Sequence, residues 1–111
     1  MPVLTPTKLF LKDIDAFASN RVLKKKILKA LAFLQENPFH PGLHIERIIN
    51  DQTAWSVRVD ERYRISLDPE AYNDPGGTPD LDKRIILLRI LDHDDLYKKK
   101  PLIHDERDVY S

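Results

Sequence analysis

The chain has 111 residues, of which 18 are Lys or Arg and 18 are Asp or Glu, so its formal net charge is zero. This length suits one compact domain, and 41% hydrophobic beside 32% charged residues is typical of a folded globular protein. The absence of cysteine excludes disulfides, a thiolate nucleophile and Cys-ligated zinc. No apolar run approaches the roughly 20 residues that span a bilayer, and no signal peptide opens the chain, so we expect a cytoplasmic protein.

The zero net charge conceals an uneven distribution of charge along the chain. Residues 1–34 hold seven basic and two acidic side chains, whereas the remainder has an equal excess of acid. The acidic residues concentrate in the segment 68–82 and in the stretch from Asp92 onward. Zero net charge disfavours bulk attraction to nucleic acid, but local phosphate recognition by a few placed cations stays open.

The first third of the chain has the periodicity of two helices. Apolar residues recur at helical spacing from Leu11 to Ala18, and Asn20 then provides a break and an N-cap. A second apolar stripe should end just before Pro38, because a residue that precedes proline avoids the α region. The lysines of this second helix are expected to form a solvated face. Its apolar stripe consists of Leu23, Ile27, Ala30, Leu31 and Leu34.

The chain from residue 43 onward is typical of strands. Residues 43–48 suggest a strand of mixed polarity, and the segment 84–91 is nearly all apolar, as expected of a strand with neighbours on both sides. Between them, apolar and polar residues alternate on both sides of Asp60, which predicts an antiparallel hairpin with one buried and one open face. The alternating apolar residues are Trp55, Val57, Val59, Tyr63, Ile65 and Leu67.

These elements together predict an α+β fold. Two N-terminal helices would pack on one face of a twisted antiparallel sheet of about four strands, and residues 3–4 allow a further short strand before the helices. Three prolines and two glycines between residues 68 and 83 predict a long loop before the last strand. We expect the domain to span residues 1–100, with a C-terminal tail at residues 101–111.

The open face of the predicted hairpin carries arginines. If the apolar residues face the helices, Arg58 and Arg64 point the other way as near neighbours, which is unfavourable unless an anion lies between them. The planar guanidinium suits phosphate, and Arg89 and His93 of the last strand have the parity that would place them on the same face. These arginines can equally pair with acidic neighbours such as Glu46, and the residue pattern leaves both interpretations open.

His93 lies at the end of the last predicted strand, with carboxylates on both sides. Such neighbours raise the pKa of a histidine, so His93 suits a proton donor, although it can also cap the turn that Asp94 would begin. Adjacent acidic residues rarely converge on one ion, so we expect no metal. The remaining histidines have no partnering pattern and are expected to be surface or packing residues: His40, His44 and His104.

Four segments follow one another along the chain: Asn37-Pro38-x-x-Pro41, Trp55-Ser56-x-Arg58-Val59, Tyr63-Arg64 and His93-x-x-x-Tyr97. Together they resemble the RelE/ParE toxin superfamily of type II toxin–antitoxin systems. Their combination is more specific than any single piece, and the similarity runs over about residues 8–99. The resemblance implies a prokaryotic, cytoplasmic protein in which a twisted antiparallel sheet packs on two N-terminal helices.

The resemblance to the RelE-like branch implies a metal-independent endoribonuclease, an mRNA interferase that cuts messenger RNA on the ribosome without a cofactor. The ribose 2′-hydroxyl attacks the adjacent phosphate, which requires a base, cations around phosphorus and an acid for the leaving oxygen. Matched by position, Arg64 resembles the arginine that stabilises the phosphate in this family, and His93 resembles the family's general acid. Tyr97 matches the tyrosine that orients the substrate, and Glu46 lies where some members keep the general base. The residues that would supplement phosphate binding are Arg58, Arg62 and Arg89.

Two alternatives to the nuclease stay open. One is a ParE-like protein that inhibits DNA gyrase by binding alone. The other is a catalytically weak or inactive toxin-like binding module, which Asp94, Asp95 and the acidic 68–82 segment favour because carboxylates repel RNA phosphate. All three imply a cognate antitoxin that wraps the domain with apolar and acidic groups, contact with DNA only through that antitoxin, and no membrane partner.

Overall fold

The protein folds into two helices packed on a five-stranded sheet, and the computed structural model describes residues 2–48, 54–70 and 80–92. Within these ranges, no helix is long and apolar enough to cross a membrane. The elements in chain order are β1 (Val3–Pro6), α1 (Lys8–Ala16), α2 (Arg21–Glu36), a 3₁₀ turn (Pro41–Leu43), β2 (Glu46–Arg47), β3 (Trp55–Arg58), β4 (Tyr63–Asp68) and β5 (Arg84–Asp92).

The strands lie in the order β1-β5-β4-β3-β2. The neighbours from β2 to β5 are antiparallel, whereas β1 runs parallel to β5, with Val3 opposite Arg84 and Pro6 opposite Leu87. The predicted α+β class with two helices on the sheet is confirmed. The sheet is mixed and has five strands rather than about four, because the short first strand pairs along the first half of β5.

The strand predicted over residues 43–48 is wrong in its extent. Only Glu46–Arg47 pair with β3, and Pro41–Leu43 form a 3₁₀ turn instead. His44 follows this turn with φ 45° and ψ 53°, a left-handed conformation that interrupts extended backbone. The long loop predicted before β5 and the predicted C-terminal tail lie largely or wholly outside the described residues.

The helix boundaries follow the signals in the sequence. The side chain of Asn20 accepts a hydrogen bond from the Leu23 amide at 3.0 Å, and α2 ends at Glu36, two residues before Pro38. In α1 the buried residue is Phe10, whereas Leu11, the first residue of the predicted apolar stripe, is exposed. The predicted apolar stripe of α2 is buried at Leu23, Ile27, Ala30 and Leu34.

The core lies between the helices and one face of the sheet. Val57 of β3 and Ile65 and Leu67 of β4 are fully buried there, which confirms the predicted buried face of the hairpin. The opposite face, which was predicted to be open, is covered at Ser56 and Ser66, both 0% exposed. On β5 a register irregularity opposite Ser66/Leu67 shifts the alternation, as a β-bulge does. A second, smaller apolar cluster includes side chains on the opposite sheet face and consists of Ile48, Ala54, Ile86, Leu88 and Leu91.

Replacing Asn20 with alanine is expected to lower the free energy of unfolding by about 1 kcal/mol, because the first turn of α2 loses the acceptor for the Leu23 amide. Urea denaturation followed by circular dichroism measures this change. Ser19→Ala, at the exposed neighbouring position, is the matched control and should leave the stability nearly unchanged. Equal effects of the two substitutions would contradict the capping role.

Candidate nucleic-acid interface

The register of the β3–β4 hairpin brings two arginines and two serines together. Arg58 lies directly opposite Arg64, and Ser56 lies directly opposite Ser66. Side chains two residues apart on a strand share a face, so all four project from the sheet face opposite the helices. We call these four residues, Ser56, Arg58, Arg64 and Ser66, the Arg–Ser face. Two like charges directly opposite each other repel, and an anion between them removes that cost.

Arg64 is largely enclosed, and its side chain is 14% exposed. Its Nη1 atom lies 3.4 Å from Oε1 of Glu46, on the neighbouring strand β2. This contact is an ion pair without hydrogen-bond geometry, because Nη1 has no hydrogen-bond partner among the residues that the structure describes. The structure therefore brings the predicted base and the predicted phosphate-stabilising arginine together, in the acid–arginine pairing that the residue pattern left open.

The other two hairpin arginines lie near the turn. Arg58 donates from Nε to the backbone oxygen of Asp60 at 3.2 Å, and its side chain is half-buried. Arg62 is 72% exposed and donates from Nε to Oδ2 of Asp92 at 2.7 Å. This hydrogen bond raises the pKa of the Arg62 guanidinium above its usual value. Both cations are thus positioned at the solvent-exposed end of the hairpin.

Asp60 organises the turn that carries these arginines. Its Oδ1 accepts hydrogen bonds from the amides of Arg62 and Tyr63 at 2.8 and 2.7 Å, and its Oδ2 lies 3.6 Å from Nζ of Lys26. Burial on its own raises the pKa of the Asp60 carboxyl, but the two amides and Lys26 outweigh it and hold the pKa below the usual 3.8.

The lowered pKa makes Asp60 a pH-dependent contributor to stability. A carboxyl with a lower pKa in the folded state stabilises the fold above its unfolded pKa, and this contribution is lost as the pH falls through the folded value. Asp60→Asn is therefore expected to lower the free energy of unfolding at pH 6–7, with the difference from wild type shrinking below about pH 4. Urea titrations of both proteins between pH 2.5 and 7 measure this difference. A difference in the free energy of unfolding that stays constant between pH 2.5 and 7 would contradict the lowered pKa of Asp60.

Arg89 is held at the edge of the sheet by α1. Its Nε and Nη2 donate to Oδ2 and Oδ1 of Asp13 at 2.7 and 3.2 Å, and the Ile90 amide also donates to Oδ2 of Asp13, at 2.9 Å. The pairing of β1 with β5 ends where Pro6 lies opposite Leu87. Beyond that point, Asp13 accepts the hydrogen bond from the Ile90 amide of β5. The register places Arg89 opposite Ser66, while its guanidinium is engaged by the helix.

A cleft of about 320 Å³ lies between α2 and the hairpin. Lys26 and Lys29 of α2 and Arg58 of β3 line it, together with the apolar side chains of Phe33 and Leu43. The helix periodicity predicted only that the lysines are solvated, because it contains no information about which strand lies opposite. Asp60 also lines the cleft and pairs with Lys26, so the cleft places two lysines and one carboxylate beside Arg58.

Two predicted site residues, His93 and Tyr97, lie outside the described residues, which end at Asp92. No signal in the sequence marks Ser56 and Ser66 as site residues, because a serine in an alternating strand indicates no more than the polar face. Asp13 likewise has no sequence signal beyond an acid on a helix. Among the described residues, no group of three or more His, Asp or Glu side chains could hold a metal ion.

Comparison with known proteins identifies the fold. No family model and no curated protein matches the chain. Among solved structures, it is similar to a YoeB/ParE toxin from Agrobacterium tumefaciens, with a TM-score of 0.58 and 17% sequence identity. The match covers 81% of this chain and 96% of that toxin. The fold that the RelE/ParE resemblance implied is therefore confirmed, and this chain has the fold of a YoeB/ParE toxin.

Proposed function

We propose that this chain is the toxin of a type II toxin–antitoxin system and that it cleaves messenger RNA on the ribosome without a metal. The observation that carries the proposal is the Arg58–Arg64 pair, placed directly cross-strand on a toxin-like fold. Two guanidinium groups on adjacent strands suit an RNA phosphate, because each is positively charged and its planar set of donors can form paired hydrogen bonds to phosphate oxygens. The cognate antitoxin is the expected partner in the cytoplasm, with DNA contacted only through it.

The proposed reaction is a transfer of the phosphoryl group within the RNA chain. The ribose 2′-oxygen forms a bond to phosphorus while the bond to the 5′-oxygen of the next nucleotide breaks, which leaves a 2′,3′-cyclic phosphate and a 5′-hydroxyl. Arg64 stabilises the negative charge that develops on the phosphate oxygens, and Glu46, 3.4 Å from it, takes the proton of the 2′-hydroxyl. His93 donates a proton to the leaving oxygen, and Tyr97 orients the substrate.

The surroundings of the remaining arginines determine how well each is suited to bind phosphate. Arg58 and Arg62 lie at the exposed end of the hairpin and are suited to hold phosphates that flank the cleavage site. Arg89 is less suited, because two of its donors bond to Asp13 and its side chain is 20% exposed, whereas Arg62 donates to Asp92 from Nε and is 72% exposed. Since the net charge of the chain is zero, binding depends on these placed groups rather than on bulk attraction.

Expression of the chain in a bacterial host, followed by mapping of transcript 5′ ends, tests this function. We expect growth arrest and new 5′-hydroxyl ends within translated transcripts, and both should disappear in Arg64→Ala and His93→Ala variants. Growth arrest without new ends would contradict the nuclease. If such arrest persists in His93→Ala and is accompanied by DNA-damage signalling, a ParE-like inhibitor of gyrase is favoured instead. A harmless chain that still binds an antitoxin tightly would be an inactive binding module.

A further inference from the structure

Three polar atoms of the Arg–Ser face are buried without hydrogen-bond partners among the described residues. They are Oγ of Ser56, Oγ of Ser66 and Nη1 of Arg64. Both serines are 0% exposed, so water cannot serve as their partner at the surface. Nearly all buried polar side-chain atoms in folded proteins have a partner, and three exceptions on one small face indicate a group that binds there.

The register places these three atoms beside one another. Ser56 and Ser66 are directly opposite on β3 and β4, and Arg64 precedes Ser66 by two residues on the same strand face. Each of the three supplies an N–H or O–H donor. A cluster of unused donors with a positive charge is complementary to a group that has several acceptor oxygens and a negative charge, and phosphate has both.

The neighbouring side chains do not satisfy this need. Glu46 lies opposite Ser56 on β2 and pairs with Arg64, but neither serine hydroxyl bonds to its carboxylate. Leu91, opposite Arg64 on the other side, is apolar and buried. Such apolar surroundings strengthen the hydrogen bonds that a bound anion would receive, because little water competes for the donors.

We propose that Ser56, Ser66 and Arg64 form a binding site for one phosphate group of the RNA, with the two hydroxyls and the guanidinium donating to its non-bridging oxygens. The identity of the ligand as RNA rests on the proposed function. Both serines are 0% exposed, so they can contact a phosphate only after this face opens locally. The phosphate approaches from Arg64, which is partly exposed, and from the hairpin end at Arg58 and Arg62.

The proposal predicts opposite effects on stability and on binding. Ser56→Ala and Ser66→Ala each remove a buried hydroxyl that has no partner, so the Tm of the free protein should stay the same or rise. The same substitutions should weaken binding of a 2′-O-methyl RNA oligonucleotide, which cannot be cleaved, because the phosphate loses a donor. We expect the double variant to bind at least about tenfold more weakly than wild type.

Thermal unfolding and fluorescence anisotropy with the labelled oligonucleotide measure the two quantities on the full chain, with inorganic phosphate as a second probe. Ser19→Ala, an exposed serine in the turn between the helices, is the control and should change neither. A lower Tm with unchanged affinity would show that the hydroxyls are structural and would overturn the proposal. Binding of inorganic phosphate without the oligonucleotide would overturn RNA as the source of the phosphate.

This test separates the site from the proposed reaction. One outcome is that the wild-type chain binds the oligonucleotide, the serine variants do not, and translated transcripts stay intact. This outcome would support the phosphate site and contradict the nuclease. The other outcome is that the double serine variant cleaves RNA at the wild-type rate and binds the oligonucleotide with wild-type affinity. This outcome would support the nuclease and overturn the phosphate site.

Discussion

Replacing Arg64 with alanine is expected to lower the rate of RNA cleavage by about 10²–10³-fold, because the developing charge on the phosphate loses its preorganised guanidinium. Arg64 lies opposite Arg58 and 3.4 Å from Glu46, so its removal also leaves the carboxylate without its cation. Single-turnover cleavage of a transcript on programmed ribosomes measures the rate. Arg64→Lys should recover part of it, since lysine keeps the charge and lacks the planar pair of donors.

The matched control for this prediction is Arg21→Ala, an exposed arginine at the start of α2. It removes the same charge from the chain, so any difference between the two variants reports the position of Arg64 rather than net charge. Urea denaturation of both variants establishes that the fold is retained. Equal rates for Arg64→Ala and wild type, with the fold intact, would contradict the assigned role.

Replacing Asp13 with alanine is expected to lower the free energy of unfolding by about 2–4 kcal/mol. The substitution removes three charge-assisted hydrogen bonds and leaves the Arg89 guanidinium and the Ile90 amide without this acceptor. The cost is below that of a fully buried pair, because the Arg89 side chain is 20% exposed. Urea denaturation at neutral pH measures the change.

Asp15→Ala provides the control, since Asp15 is exposed on the same helix and carries the same charge. It should change the free energy of unfolding by less than about 0.5 kcal/mol. In the double variant Asp13→Ala/Arg89→Met the loss should be smaller than the sum of the two single losses, because both substitutions remove the same contact. Additive losses would show that the two residues act independently.

The helices and the faces of the hairpin could be predicted from the sequence. The Asn20 cap and the end of α2 before Pro38 depend on a few neighbouring residues, and these local preferences survive in the fold. The alternation around Asp60 likewise placed Val57 and Ile65 in the core and Arg58 and Arg64 on the opposite face. A period of two determines the face of a side chain without any knowledge of its partner strand.

The candidate site was predicted in part. The neighbouring positions of Arg58 and Arg64 follow from alternation across a tight hairpin, and the structure agrees. The assigned roles of Glu46, His93 and Tyr97 came from the resemblance and stay predictions. The unpartnered hydroxyls of Ser56 and Ser66 could not be predicted, because burial on the face opposite the helices depends on what packs against it rather than on the strand itself.

The sequence by itself determined the two helices, the N-cap of α2 and the two faces of the hairpin, since each depends on contacts within a few residues. The tertiary structure decided the parallel pairing of β1 with β5, the irregular register on β5 and the Asp13–Arg89 pair, whose members are 76 residues apart. Such contacts join distant segments, and many pairings of similar local energy compete for them. Only the packing of the whole chain selects one pairing, and that pairing brought two arginines, two serines and a glutamate to one face.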